Sequence, residues 1–283
     1  MKRTKIIGPV FLALLFGGFA SPRVLADETN ATDEAGANAD DKSTSLAKET
    51  QNPVANLISV PFQNNFYFGL GPDHVTAYVL NIEPVIPISL NQDWNLITRT
   101  IVPIISTPSA GPGIPSGAGL GDINPTFFLS PAGGSKKFIW GLGPTFTLPT
   151  ATEPILGNQE WSAGPAAVAL TMQGHWVAGV LANQQWSFAG WGGNDVSAFL
   201  VEPFLNYNLK EGWAISSSPV ITANWEISGR NAWTVPLGGG VSKLQWFGKV
   251  PIKFLLEAFA IPVRPPGGPT WQLQFEVTFV FPK

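Results

Sequence analysis

The sequence predicts an all-β protein, an antiparallel transmembrane β-barrel of about twelve strands that follows a signal peptide and a disordered acidic segment. Only 12% of its residues are charged, about half the share in a typical soluble domain. Beyond the N-terminal segment, apolar residues occur in short alternating runs, and none reaches the ~18 residues that a membrane helix needs. The 30 glycines and 26 prolines disfavour helices, where each costs about 1 or 3 kcal/mol. Many short strands are therefore expected.

The chain contains no cysteine, which excludes disulfide bonds, thiol catalysis and a lipid-modified cysteine. Its two histidines, His74 and His175, are too far apart in the sequence to indicate a local metal site. The formal net charge of −3 gives no indication of nucleic-acid binding. We therefore expect no metal ion, no cofactor and no nucleic-acid partner.

The first 26 residues have the pattern of a secretory signal peptide. Basic residues precede an apolar run over residues 6–20, and Val24-Leu25-Ala26 provides a cleavage site. An uncleaved anchor is the alternative, but the apolar run is short and Pro22 and Arg23 follow it closely. The pattern predicts export, with the outer membrane as the destination.

Residues 27–52 differ in composition from the rest of the chain. They contain seven acidic and two basic residues, a net charge of −5, and no aromatic residue. Such a segment buries too little apolar surface to offset the entropy lost on ordering. We predict a disordered periplasmic tether, with a binding role as the less favoured alternative.

Residues 53–283 are predicted to form the barrel, and residues 53–63 a possible short plug or entry segment. From Asn64 onward, runs of about ten alternating residues are separated by turns, as in transmembrane barrels. The predicted strands are 64–71, 76–89, 94–106, 120–131, 138–148, 160–172, 175–188, 196–209, 212–226, 231–244, 248–261 and 271–281. Their number is even, as expected for a single-chain bacterial barrel.

The last predicted strand has the clearest alternation. Five apolar residues share one of its faces: Leu273, Phe275, Val277, Phe279 and Phe281. Polar residues, such as Gln274 and Glu276, share the other. Outer-membrane barrels present a terminal strand ending in phenylalanine to their assembly machinery, so we expect that machinery and outer-membrane lipid as partners.

The connections and tryptophans indicate the orientation of the barrel. Connections after even-numbered strands are short, whereas those at 107–119, 149–159 and 264–269 are longer. Short turns are expected in the periplasm and long loops outside. The 11 tryptophans cluster near strand ends, which predicts two aromatic belts at the membrane interfaces.

Polar residues in the middle of strands are predicted to face the lumen, because an apolar interior could not hold them unpaired. If the hairpin turns tightly about Asn91, Glu83 and Arg99 become cross-strand neighbours and form an ion pair. The predicted lumen residues are Glu83, Arg99, Asp122, Asn124, Glu202, Asn206, Glu226, Lys253, Glu257 and Glu276. They could line a solute path or only maintain the barrel, because twelve strands lie between the filled and the open barrel sizes.

Three segments carry a resemblance to a known family: residues 51–63, QNPVANLISVPFQ; residues 94–103, WNLITRTIVP; and residues 119–131, GLGDINPTFFLSP. They resemble a family of outer-membrane proteins labelled "MetA-pathway of phenol degradation", whose members are often called transporters. The resemblance covers most of residues 51–283. It implies an outer-membrane barrel that passes small, partly hydrophobic compounds, and it provides no catalytic residues.

The leading functional hypothesis is a porin-like channel or transporter for small, partly hydrophobic molecules, without catalytic activity. A non-conducting structural or adhesion barrel is the main alternative. A lipid-modifying barrel enzyme is a weaker one, since such enzymes generally need a histidine beside a serine. No serine is associated with His74 or His175 by spacing, and no catalytic residue is predicted.

Overall fold

The computed structural model describes residues 42–133, 137–193 and 195–282. The predicted signal peptide and residues 27–41 of the predicted tether lie outside these ranges. Within them, no helix combines the length and the apolar character needed to cross a membrane.

The described chain forms a barrel of twelve antiparallel strands, labelled β1 to β12, three of which are interrupted. The strands are β1 Ile58–Leu70, β2 Val75–Ile82 and Val85–Ser89, β3 Trp94–Thr107, β4 Gly117–Leu120 and Asn124–Pro131, β5 Ile139–Thr147, β6 Glu160–Gln173, β7 Trp176–Gly190, β8 Ser197–Asn208, β9 Trp213–Ser217 and Ile221–Asn224, β10 Trp233–Phe247, β11 Val250–Val263 and β12 Trp271–Phe281. The predicted fold class and strand number are confirmed. Short 3₁₀ helices lie at Pro154–Leu156, Lys210–Gly212 and Gly229–Ala232.

The first and last strands close the barrel. β1 pairs with β12 from Ile58↔Phe281 to Phe68↔Trp271, and every other strand pairs with its neighbours in sequence. The prediction placed the start of β1 at residue 64, which is wrong by six residues. Because β12 is paired as far as Phe281, β1 must extend back to Ile58, or an unpaired edge would remain.

Proline accompanies several irregularities of the barrel wall. β2 is interrupted at Glu83 and Pro84, and β9 at residues 218–220, which include Pro219. The register between β10 and β11 shifts between Val235 and Leu237, on either side of Pro236. Proline cannot donate a ladder hydrogen bond, so a strand that contains one often bulges or breaks.

The two faces of each strand differ in polarity, as the alternation predicts. On β12, Gln274 and Thr278 are buried toward the lumen, whereas Phe275 and Phe281 are exposed on the outer wall. We call the end of the barrel with the turns after β2, β4, β6, β8 and β10 the short-turn end, and the opposite end the long-loop end. The N-terminal segment and the end of β12 both lie at the short-turn end.

The lumen is not uniformly polar. At the short-turn end, inward residues of β3, β4, β6, β7 and β8 form an apolar cluster that includes Ile97, Phe128 and Phe204. Periodicity alone could not predict this cluster, because the outer wall is also apolar. The cluster surrounds Val54, a residue that precedes β1.

The inward hydrogen bonds at the β1–β12 closure generate a first prediction. Asn65 is buried, and its Oδ1 accepts a bond of 2.9 Å from Gln272 Nε2 while its Nδ2 donates a bond of 3.0 Å to Gln63 Oε1. We expect Asn65→Leu to lower the free energy of unfolding by about 1–3 kcal/mol, because it leaves buried partners unsatisfied. Urea unfolding of the reconstituted barrel measures the change.

The matched control is Gln245→Leu, at an exposed position of β10. It should change the free energy of unfolding by less than about 0.5 kcal/mol. Equal effects of the two substitutions would contradict the assigned role of Asn65 in the closure.

Candidate functional site

Residues 42–57, which we call the plug, lie at the short-turn end of the lumen. Residues 42–49 are helical. Leu46 and Ala47 are buried in a cluster with Leu57, Leu244 and Val280, contributed by the plug, β10 and β12. The Lys42 Nζ lies 4.6 Å from the ring centroid of Trp246, within the range of a cation–π interaction.

A pair of amide hydrogen bonds joins the plug to β8. Gln51 Nε2 donates to Asn208 Oδ1 at 2.9 Å, and Asn208 Nδ2 donates to Gln51 Oε1 at 3.0 Å. Both side chains are buried. Each amide therefore provides the hydrogen-bond partner that the other loses when it is removed from water.

Val54 anchors the plug in the apolar cluster of the lumen. It packs with Ile97, Phe128 and Val168, and the facing position on β5 is Gly141. A Cβ added at Gly141 would lie 3.1 Å from Val54 Cγ1, which is closer than ordinary van der Waals contact. A glycine at this position therefore makes room for the plug.

These contacts correct the predicted disordered tether for residues 42–52. Leu46, Ala47 and Gln51 are ordered because they bury surface against the inside of the barrel, which a composition argument on the isolated segment does not include. Residues 53–63 were predicted to be a possible short plug or entry segment. Of these, residues 53–57 enter the lumen, and residues 58–63 are part of β1.

Six charged side chains lie together in the lumen, beyond the plug. We call them the charge cluster: Glu83, Arg99, Glu202, Lys253, Glu257 and Glu276. Glu202 interacts electrostatically with Arg99, Glu83, Glu257 and Glu276, and Glu257 interacts with Lys253 and Glu276. Four carboxylates face two cations, so the formal charge of the cluster is −2.

The predicted ion pair between Glu83 and Arg99 is present. Arg99 Nη2 lies 2.7 Å from Glu83 Oε2, and the two residues are diagonal rather than direct neighbours. Val85, not Glu83, is paired with Arg99, since the hairpin turns one residue later than predicted. Glu83 has the same parity as Asn81 and Val85, which also border the lumen, so the alternation of β2 places it inside.

Lys253 and Glu276 form a second pair across β11 and β12. Lys253 Nζ lies 3.6 Å from Glu276 Oε1, and the Thr278 hydroxyl donates to the same oxygen at 2.6 Å. Both cations of the charge cluster are thus already associated with a carboxylate.

Among the described residues, the two remaining carboxylates of the cluster have no cationic partner within hydrogen-bonding distance. Ser218 Oγ donates to Glu257 Oε2 at 2.7 Å, but the buried Oε1 of Glu257 has no hydrogen-bond partner among the described residues. Glu202 makes no hydrogen bond or ion pair to the described part of the chain, and it borders the cavities on both sides of the cluster. Each carboxylate thus has unused acceptor capacity.

Asp122 and Asn124 do not belong to the charge cluster. Asp122 Oδ1 and Oδ2 accept bonds from the backbone N–H groups of Ala151 and Asn158, at 3.1 and 2.7 Å, so this residue holds a long loop. Asn124 Nδ2 donates to the carbonyl oxygen of Phe146 at 2.6 Å. Asn124 is inward, as predicted, but nearer the long-loop end.

Asn206 and Glu226 lie at opposite ends of the barrel. Asn206 is buried and borders the cavity beside the plug. Glu226 was predicted to face the lumen from a strand that ends at residue 226. That strand bound is wrong, because β9 ends at Asn224 and Glu226 is exposed in the following turn, where it borders the cavity of the long-loop end. Asn224 Oδ1 accepts a bond of 3.0 Å from the Glu226 N–H, which stabilises the turn.

Three cavities follow one another along the lumen. A vestibule of ≈ 860 Å³ at the long-loop end shares Leu200, Thr222 and Thr234 with a middle cavity of ≈ 320 Å³. The middle cavity shares Glu83, Arg99 and Glu202 with a cavity of ≈ 150 Å³ that is bounded by the plug. The three cavities therefore adjoin one another from the long-loop end to the plug, and we call this row of cavities the passage.

The sequence reasoning missed several lumen residues. Gln63 and Gln274 border both of the inner cavities, and the strand alternation that placed Glu276 inside also places Gln274 there. Glu160 Oε1 accepts bonds from the N–H groups of Gly192 and Gly193, at 2.9 and 3.1 Å. No periodic signal indicated the plug residues Gln51 and Val54.

The histidines have local partners. His175 Nδ1 lies 2.8 Å from the carbonyl oxygen of Asn208, and its ring packs on Tyr207. His74 lies in the turn before β2, with a φ of 51°. In the described ranges, no serine hydroxyl bonds to either histidine, and no group of three or more His, Cys, Asp or Glu side chains is placed to hold a metal ion.

Comparison with known proteins identifies similar folds. No protein-family model matches the sequence, and neither does any curated protein. An outer membrane channel from Pseudomonas putida F1 aligns with a TM-score of 0.59 at 16% identity, over 80% of this chain and 94% of that chain. The chain shares the barrel fold of an outer membrane channel. At this identity the likeness concerns the fold alone.

Two further solved structures align less closely. The outer membrane phospholipase of Salmonella typhi, a dimer with bound calcium, gives a TM-score of 0.43 at 10% identity, over 78% of this chain and 90% of that chain. A bacterial polysaccharide outer membrane secretin gives 0.37 at 12% identity, over 80% and 99% of the two chains.

The Glu83–Arg99 pair generates a second prediction. We expect Arg99→Met to lower the free energy of unfolding by about 3 kcal/mol, because it leaves the buried Glu83 carboxylate without its counter-charge. The double variant Glu83→Gln/Arg99→Met should recover most of that loss. Urea unfolding of the single and double variants measures both, and a double variant that is no more stable than Arg99→Met would contradict the pairing.

Proposed function

We propose that this protein is an outer-membrane channel for small solutes, closed at the short-turn end by its own plug. The observation that carries the proposal is the passage of three adjoining cavities, which begins at the long-loop end and stops at plug residues such as Gln51 and Pro53. The likeness in fold to an outer membrane channel supports it. Glu202, which has no cationic partner within hydrogen-bonding distance among the described residues, borders two of these cavities, and a purely structural barrel does not require such a group.

The outer wall supports a position in a bilayer. Phe68 stacks on Trp271 with centroids 3.8 Å apart near the long-loop end, and Trp176 contacts Tyr207 at 4.7 Å near the short-turn end. Aromatic side chains at both ends of an apolar wall are typical of the two membrane interfaces. The plug, the end of β12 and the short turns would then face the periplasm, and the long loops the exterior.

The dimensions and lining of the lumen favour small, partly hydrophobic solutes. The middle cavity of ≈ 320 Å³ is bordered by Ile101, Leu200 and Ile261 as well as by Gln63 and Glu202. Its volume is near the lower limit for sites that hold small organic molecules. The resemblance to the MetA-pathway of phenol degradation family points to the same class of solute.

The plug would act as the gate. Its contacts to the barrel are noncovalent: a pair of amide hydrogen bonds at Gln51, a valine in an apolar cluster, and a helix whose one face is buried. A solute can leave the passage toward the periplasm only if these contacts break. Removal of the main apolar anchor should therefore favour the open state.

We expect Val54→Asp to increase the probability that the channel is open at least tenfold. A buried unpaired carboxylate beside Phe128 and Val168 costs several kcal/mol, and 1.4 kcal/mol already corresponds to a factor of ten. Single-channel recording in planar bilayers, with protein expressed from the full sequence and purified from membranes, measures the open probability.

The control for this variant is Val250→Asp, which introduces the same charge at an exposed valine of the short-turn end. It should leave the open probability unchanged. If Val54→Asp forms a folded barrel that shows no current steps, the channel proposal is wrong, and a non-conducting barrel remains.

The bilayer position generates a separate prediction. Leu256 is 48% exposed on the outer wall near the middle of β11. We expect Leu256→Arg to destabilise the barrel in lipid vesicles by about 2–4 kcal/mol, compared with about 0–1 kcal/mol for Val250→Arg at the end of the same strand. Equal costs at the two positions, measured by denaturant unfolding in vesicles, would contradict a transmembrane wall.

A further inference from the structure

In the charge cluster, the two cations pair with two of the four carboxylates, and two carboxylates remain. Arg99 is paired with Glu83 at 2.7 Å, and Lys253 with Glu276 at 3.6 Å. Glu202 and Glu257 have no cationic partner within hydrogen-bonding distance among the described residues. A surplus of two negative charges, within a barrel wall of low polarity, attracts cations more strongly than the same charges would in water.

Glu202 and Glu257 differ in their accessibility from the lumen. Glu257 is 1% exposed, and its free Oε1 is enclosed between β10 and β12. Glu202 borders both the middle cavity and the cavity beside the plug. A solute in the passage can therefore reach Glu202 directly, whereas Glu257 contributes charge from behind it.

The middle cavity combines charged and aliphatic groups. Leu200, Val220 and Ile261 border it together with Glu202 and the Glu83–Arg99 pair. Glu202 is thus the carboxylate of this lining that has no cationic partner within hydrogen-bonding distance among the described residues. An inorganic cation would not use the aliphatic surface. No group of three or more His, Cys, Asp or Glu side chains in the described ranges is placed to hold a metal ion.

We propose that the middle cavity binds a small organic cation, a primary ammonium compound with an apolar body. The ammonium group donates hydrogen bonds to the Glu202 carboxylate, and the apolar body packs against Leu200, Val220 and Ile261. Such a group has three N–H donors and no acceptor, which suits a carboxylate with unused acceptor capacity. The inference rests on the proposed channel function and adds the chemical class of its solute.

The same arrangement discriminates against anions. A carboxylate solute in the middle cavity would meet Glu202 and, behind it, Glu257. The Arg99 and Lys253 cations that could receive it are already associated with Glu83 and Glu276. Uncharged compounds of the same size retain the apolar contacts but not the ion pair.

Three compounds of nearly equal size test the proposal: benzylammonium, benzyl alcohol and benzoate. Isothermal titration of each into the purified full chain in detergent micelles gives the dissociation constants. Benzylammonium should bind at least about fivefold more tightly than benzyl alcohol, the factor that one charge pair at about 4 Å provides even in water. Benzoate should bind more weakly than benzyl alcohol.

The variant Glu202→Gln should weaken benzylammonium binding at least about fivefold and leave benzyl alcohol binding unchanged, which shows that the cavity is intact. Asp73→Asn, at an exposed acidic position of the long-loop end that borders none of the three cavities, is the control and should change neither. Equal affinities for the three compounds, no binding of any, or no effect of Glu202→Gln would overturn the proposal. Because binding to the middle cavity does not require the plug to move, this result is independent of the conductance measurement.

Discussion

The pairing of β1 with β12 is the constraint on which the rest of the structure depends. Without it, the sheet would have two open edges, whose N–H and C=O groups have no partner in a bilayer. Once the sheet closes, alternate residues of every strand must face the lumen. Closure therefore determines that Glu202, Lys253, Glu257 and Glu276 share one enclosed space.

The charge cluster and the plug both follow from the narrowness of the lumen. A lumen narrower than that of a large porin cannot surround every inward side chain with water. At the short-turn end, many inward residues are apolar and are covered by Val54, Leu46 and Ala47 of the plug. Farther along the lumen they are charged, and neutralise each other in pairs except at Glu202 and Glu257. The plug and the charge cluster therefore divide the lumen into a closed part and an accessible part.

The sequence predicted the features that depend on alternation. The twelve strands, the outward face of β12 and the Glu83–Arg99 pair follow from the period of two in each strand. The position of Glu226 did not follow, because β9 breaks near Pro219 and ends at Asn224. A bend of this kind depends on the pairing of neighbouring strands, which a single sequence does not specify.

The plug was the largest departure from the sequence-based expectation, and the reason is physical. Residues 42–52 are polar and acidic on average, so their composition resembles that of a solvated tether. Their order comes from a few residues that meet a partner surface inside the barrel: Leu46 and Ala47 against β10 and β12, and Gln51 against Asn208. Gly141 shows the close fit from the side of the barrel, since a Cβ there would crowd Val54 of the plug as well as Phe128 and Val168 of the wall.

Single-channel conductance of a variant with a disulfide-locked plug tests most directly whether the plug is the gate of the channel. The natural chain has no cysteine, so Val54→Cys/Gly141→Cys introduces the only pair. A Cβ at residue 141 would lie 3.1 Å from Val54 Cγ1, close to the ~3 Å between a Cβ and the far sulfur of a disulfide. If the plug is the gate, the oxidised protein gives no current steps and the reduced protein gives reproducible steps. Equal conductance of the oxidised and reduced forms, with the disulfide verified by mass spectrometry, would contradict a gate formed by the plug.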